Sequence, residues 1–443
     1  MDARVVAVLA AAPLALGRRR AVPRWFVVPA AASLIWLGRD APVAVATKLA
    51  AAGAVVAMDV VGSRHWLFIR AGREVTASFV AIFGVLVVAA SFYYRPDPTT
   101  LDEVRSQAGV HLVAPRGSGP LSARAQVYAA VPDCDGRAAV VVVHKSSLGY
   151  HLLDLRTGAI EPIGTIRDPS DDVLFRCEDR ELLVGDWRSR SGLVARADAL
   201  PALELVRSYE DLVVGPGPLV ESTDGELLWH LDARDMKMRV AESRSGMLVA
   251  ATDRFAFGVA VLDGGRALSA SPGELVEWRV ERQVADPAMR ACDECAGRLV
   301  ARTVAPLDRG WLAPARWLTP NAWIHYTAAS EDRVFVSSLQ ESSVEAFARR
   351  GDALAPIARA QLAGGARHLA YAPRHDLVLV SGWTSGVVTV LSGRDLSVLR
   401  TVRVGARPRT VSLAADESMA LVGTGAGIVA IDLAAVGRPP GTP

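Results

Sequence analysis

Two textures of hydrophobic patterning divide the chain. Up to about residue 94 the apolar residues come in long blocks, roughly Val5 to Leu16, Trp25 to Leu37, Pro42 to Val61 and Val75 to Tyr94. Beyond residue 105 they come in short alternating or apolar runs of about four to seven residues, broken by Asp, Gly and Pro. The first texture predicts helices in a lipid environment, and the second predicts an all-β region with no long amphipathic helix. The expected organisation is a transmembrane helical region over 1–95, a linker over 96–108, an all-β domain over 109–437 and a C-terminal tail over 438–443.

Only the last two apolar blocks reach the ~20 residues that a helix needs to cross a ~30 Å hydrocarbon core. Three or four spans are therefore expected. Arginines set the orientation, because short cytoplasmic loops retain positive charge. Arg18, Arg19, Arg20 and Arg24 separate the first two blocks, and Arg64, Arg70 and Arg73 separate the last two. With both loops inside, either span count leaves the chain outside after Tyr94, with Phe92, Tyr93 and Tyr94 at the outer interface. The expected location is the cell membrane, multi-pass, with the C-terminal domain extracytoplasmic. Lys48 and Asp59 fall within the third block, eleven positions apart on nearly one helical face. They are candidates for an ion or proton path, or simply charges that snorkel to the headgroups from near the helix ends.

The β region repeats. Near Asp135, Asp179, Asp224, Gly264, Asp332, Asp376 and Asp416 the same unit recurs: an apolar strand, a polar turn, a second apolar strand. A period of about 40 to 45 residues suits one four-stranded propeller blade per unit, hence seven blades. The longer gap between Gly264 and Asp332 implies an insertion in the fourth unit or a hidden eighth blade. Nothing after Asp432 reads as a closing strand, whereas Val110-His-Leu-Val113 is a strand without a repeat of its own. Pairing the two ends would cover a bare sheet edge, so the N-terminal strand is expected to complete the last blade.

The last two repeats resemble the Tyr-Val-Thr-Asn family of β-propeller repeats. The likeness rests on Val404-Gly-Ala-Arg-Pro408, Ala414-Ala-Asp-Glu417, Ala420-Leu-Val422 and Ile428-Val-Ala-Ile-Asp432, with a weaker echo at Gly365-Ala-Arg367 and Val378-Leu-Val380. The tetrapeptide itself is replaced by Ala420-Leu-Val-Gly423, Val378-Leu-Val-Ser381 and Val334-Phe-Val-Ser337.

Composition narrows the chemistry. The formal net charge of the 443 residues is only +2, with acids and bases near balance after residue 104, so no basic excess points to nucleic acid. Four cysteines, Cys134, Cys177, Cys292 and Cys295, all follow the apolar blocks. Cys134 and Cys177 occupy equivalent turns of successive repeats, which permits a disulfide between neighbouring blades or two unpaired thiols. Cys292-Asp-Glu-Cys295 lacks the following His of a haem site and a second ligand pair for zinc, and its acids oppose a reactive thiolate. A structural disulfide closing a loop fits it better than redox exchange.

His111, His144, His151, His230, His325, His368 and His375 are scattered without metal-ligand spacing. No Gly-x-Ser-x-Gly elbow or phosphate loop appears, and Gly423-Thr-Gly-Ala-Gly427 reads as a hairpin turn. No cofactor and no metal are therefore expected. The leading expectation is a non-enzymatic binding or scaffolding module on the membrane, with a protein or cell-envelope partner on a propeller face. A channel-sited hydrolase or quinone-dependent dehydrogenase, and a sensor for a membrane transport or signalling element, are the alternatives.

Overall fold

The computed structural model describes residues 101–437 apart from 120, 122–125, 145–148, 165, 167–168, 187–190, 211–218, 232–236, 264, 272, 283–294, 296, 308–324, 340 and 352. The expected membrane region, with Lys48 and Asp59, lies outside the described residues. Among those described, no helix is long and apolar enough to cross a membrane.

The strands assort into seven four-stranded antiparallel sheets, the blades of a β-propeller. Blade 1 spans residues 126–162, blade 2 169–210, blade 3 220–255, blade 4 257–306, blade 5 325–361 and blade 6 366–403. Blade 7 takes three strands from residues 411–432 and its fourth from Val110–Pro115. That N-terminal strand pairs antiparallel with Gly427–Asp432, Val110 opposite Ile431 and Leu112 opposite Val429. The ring is thus closed by hydrogen-bonding the two ends of the β region, as the orphan strand implies. No eighth blade exists among the described residues; the extra length lies in the connections 282–297 and 307–324.

Burial across a blade explains the mixed strand patterns. Second strands such as Leu377–Gly382 and Leu227–Leu231 are buried at every position, because neighbouring blades cover both their faces. These are the continuous apolar runs. Fourth strands such as Ala353–Gln361 face solvent and are mostly exposed or half-buried. Each blade-to-blade interface is filled by its own apolar cluster; Phe335, Val344, Val378 and Val380 belong to the one between blades 5 and 6. The cluster between blades 2 and 3 is the smallest among the described residues.

Residues 101–108, inside the expected linker, are structured. A short helix, Leu101–Arg105, buries Val104 against blades 6 and 7. Gln107 follows it: its Nε2 donates to Arg403 O at 2.8 Å, and its Oε1 accepts from Arg403 N at 2.9 Å. A single helical turn carries too little periodicity to stand out in sequence.

The serines that end two second strands staple adjacent blades. Ser337 Oγ donates to Arg367 O of the next blade at 3.0 Å, and Tyr326 N donates to it at 3.3 Å. Ser381 repeats this one blade on, donating to Arg409 O at 3.0 Å and accepting from His368 N at 3.0 Å. Both serines are fully buried. The third member of the series is Gly423, where a Cβ would sit 2.4 Å from Val127 Cγ1 of blade 1. There Thr410 takes over, its Oγ1 donating to Tyr128 O at 3.1 Å. Ser381→Ala is expected to cost about 1–3 kcal/mol, since it leaves buried backbone groups without their partner. Chemical denaturation with unchanged m-value checks it.

Candidate functional site

First strands of neighbouring blades pack on one another around the centre of the ring. At the end where these strands begin, one continuous stack of cations and rings crosses three blades. Arg367 lies with its Cζ 4.6 Å from the Trp383 ring centroid, and Arg409 Cζ lies 5.1 Å from the same ring. Arg409 also sits 3.4 Å over Tyr128, whose ring is 4.0 Å from His144. A flanking pair, Tyr326 and His368 at 4.6 Å, extends the group to blade 5.

Local backbone structure holds these side chains in place. Arg367 and His368 lie on the first strand of blade 6, Ala366–Ala372. Arg409 occupies the equivalent position of blade 7, and the serine staples fix the carbonyls of both arginines. The backbone at Trp383 is fixed by two bonds, its N donating to Gly365 O at 2.9 Å and Thr384 N donating to Gly364 O at 2.9 Å. His368 Nδ1 accepts from Val411 N at 3.3 Å. Burial, reinforced by the charge of Arg367, pushes the His368 pKa down to about 3, so its ring stays neutral.

The opposite end of the ring, formed by the turns after first and third strands, has different chemistry. Arg176, 3% exposed in its side chain, sits between blades 2 and 3. Its Nε donates to Glu221 at 2.8 Å, one terminal nitrogen to Tyr209 Oη at 3.1 Å, and the other to Ser243 O and Oγ at 2.9 and 2.7 Å. Arg207 makes a two-pronged pair with Glu181 at 2.8 and 2.6 Å, and Glu181 also lies 3.4 Å from Arg176. Two cations and two carboxylates balance. Gly246, at φ +74°, lies flat on the Tyr209 ring, where a Cβ would come within 2.4 Å. Beside this network opens a cavity of about 780 Å³ lined by Glu178, Asp179, Asp224, Glu242, Arg244 and Arg282 among others.

Of the cysteines singled out by sequence, Cys134 and Cys177 are joined in the structure, with Cα atoms 5.4 Å apart, linking the first turns of blades 1 and 2. Alkylation of the unreduced protein, read by mass spectrometry, is expected to leave both unlabelled. Cys295 is buried and disulfide-bonded; Cys292 lies outside the described residues. His144, His325 and His368 come to the end that carries the stack, whereas His111 is exposed on the outermost strand of blade 7 and His375 sits in a turn at the other end. His325 and His230 are buried, and burial lowers the pKa of His151. Among the described residues no three His, Cys, Asp or Glu side chains are grouped to hold a metal ion.

The arginines of the stack escape a sequence reading. In an arginine-rich chain each one looks like background, and only alignment by strand shows that Arg367 and Arg409 share one position in successive blades.

The fold and these two ends define a seven-bladed β-propeller. No family model matches the chain, and no curated protein does. Among solved structures it is similar to the Kuenenia stuttgartiensis hydrazine synthase, at 12% identity, covering 69% of this chain and 95% of that one with a TM-score of 0.50. It is similar also to the Myceliophteria thermophila Cps50 (Swd1) β-propeller domain, at 9% identity over 69% and 95% of the two chains, TM-score 0.50. The RRP9 WD40 repeats match at 12% identity over 74% and 98%, again with a TM-score of 0.50. At such identities the likeness is one of fold, and a fold shared by a synthase and by WD40 repeats does not choose a function.

Proposed function

We propose that this chain is a membrane-anchored, extracytoplasmic β-propeller of the Tyr-Val-Thr-Asn type that binds an envelope partner without catalysing a reaction. The observation that carries the binding reading is the stack of Arg367, Trp383, Arg409 and Tyr128, which gathers rigid aromatic and cationic groups from three blades at one end of the ring. Aromatic and arginine side chains are the residues that dominate recognition sites, the rings because they offer large contact areas with little rotamer entropy to lose and arginine because it adds directional charged hydrogen bonds. The arginine-rich loops of the N-terminal quarter support the anchor and its orientation. The bridge between Cys134 and Cys177 agrees with an oxidising compartment.

Two single cysteines in the full chain test both parts. Thr384→Cys and Ser397→Cys are both exposed, the first beside the stack and the second at the opposite end of the same blade. A membrane-impermeant maleimide is expected to label both in intact cells. A photocrosslinker at 384, but not at 397, is expected to capture a defined envelope component. Labelling that requires cell lysis refutes the extracytoplasmic placement, and equal capture at both positions refutes the face.

A further inference from the structure

We infer that the arginine–aromatic stack is a binding site for a hydroxyl-bearing oxyanion, of which an acidic saccharide is the simplest class. The inference rests on the reading of the ring as a binding module. Three features of the site set the chemistry. First, Arg367 is half-buried, stacked on Trp383, and pairs with no carboxylate among the described residues. Two arginines of similar burial elsewhere in the ring are neutralised, Arg333 by Asp376 at 2.6 Å and Arg207 by Glu181. A guanidinium over the face of an indole can keep its edge N–H groups free for a carboxylate or phosphate, which accepts them in two-pronged fashion. Arg409, its Cζ 5.1 Å from the centre of the same indole, places a second positive charge near this spot.

Second, the Gln126 side-chain carbonyl is buried and has no hydrogen-bond partner among the described residues. Gln126 begins the first strand of blade 1, two residues before Tyr128 and opposite His144 in the ladder, so this acceptor belongs to the same end of the stack. A buried acceptor without a partner costs free energy unless a donor reaches it. The ligand therefore carries a donor as well as a negative charge, and a hydroxyl beside an acid group supplies both. Third, the recessed His368 is kept neutral by its burial and by the charge of Arg367, and its Nδ1 accepts from Val411 N. It adds no charge, so the positive character of the site belongs to the arginines.

The test uses the full chain in detergent, with calorimetric titration of four oligosaccharide-sized probes: oligoglucuronate, a phosphorylated glucan oligomer, a neutral glucan oligomer and oligo-aspartate. Saturable binding of one or both hydroxylated anions is expected, with affinity for the neutral glucan and for oligo-aspartate at least tenfold weaker. Which of the two anions binds tells a carboxylate site from a phosphate site. Arg367→Gln is expected to weaken the bound anion at least tenfold, while Arg394→Gln, exposed in a turn at the opposite end, leaves it unchanged. Gln126→Leu is expected to narrow the gap between oligoglucuronate and oligo-aspartate, which a loss of folding would not do. Failure of both hydroxylated anions to bind overturns the inference, as does equal loss in Arg367→Gln and Arg394→Gln. If Arg367→Gln retains the crosslinked envelope component, the binding module stands and the saccharide site alone falls.

Discussion

Replacing Arg176 with methionine is expected to destabilise the propeller by about 3–5 kcal/mol, seen as a lowered denaturation midpoint. The guanidinium is almost wholly buried and serves four partners, Glu221, Glu181, Tyr209 and Ser243. Methionine fills much of the same volume but leaves Glu221 without its cation in a partly buried place, and removing one member of such a group is what costs most. Burial by itself opposes the charge on Arg176, yet Tyr209, Glu221 and Glu181 outweigh it and hold its pKa above the ordinary guanidinium value. A second substitution separates the two contributions. In Arg176→Met with Glu221→Leu, both charges are gone, and about half of the lost stability is expected to return. If the double variant is as unstable as the sum of the singles, the network acts through shape rather than charge.

The location of this network is informative. The interface between blades 2 and 3 has the smallest apolar cluster among the described residues, drawn from Leu183, Val194, Tyr209, Leu219, Leu228 and Ala241. Hydrophobic burial is weak there, and hydrogen-bonded charge does the joining. Interfaces such as that between blades 6 and 7, with Leu379, Val390, Val422 and Ile431, need no such device. The stack at the other end of the ring is built the opposite way, from rings and cations with serine staples behind them. The two ends therefore differ in construction: the Arg176 network pairs its own charges, and the other end leaves Arg367 and Gln126 unmatched within the described residues.

What sequence carries, and what it does not, follows from the same contrasts. The seven turns, the equivalence of the Cys134 and Cys177 positions and the orphan strand at Val110 are local signals repeated at a fixed period, so they survive in one dimension. Asp416 shows why: it accepts from Ser418 N at 2.9 Å and from Ser418 Oγ at 2.7 Å, a turn written into four adjacent residues. Those bonds hold its pKa below the usual carboxylate range. Arg176, Glu221 and Ser243 meet across blades at separations of 45 and 67 positions, and nothing local marks them. The stack is equally non-local. The serine of Val378-Leu-Val-Ser381 is visible as a departure from a family tetrapeptide, but its role as a staple emerges only once the next blade is in place.

The closing strand yields the sharpest test of the ring. Val110 is 3% exposed and packs with Val104, Val429 and Ile431, whereas His111, the next residue on the same strand, is exposed. Val110→Asp is expected to cost roughly 4 kcal/mol or more, because a carboxylate forced into an apolar cluster must either stay charged without a partner or take up a proton. His111→Asp is expected to cost under about 0.5 kcal/mol, as exposed substitutions do. Two neighbouring positions with opposite outcomes are the signature of period-two alternation on a paired strand. A detached segment would be indifferent to both changes. The loss at Val110 is also expected to be global rather than confined to blade 7, since unpairing Val110–Pro115 exposes the edge Gly427–Asp432 and opens the ring at its one non-covalent seam. Hydrogen exchange read across all seven blades separates the outcomes: protection lost throughout supports closure by this strand, and protection lost only in blade 7 refutes its role in holding the whole ring.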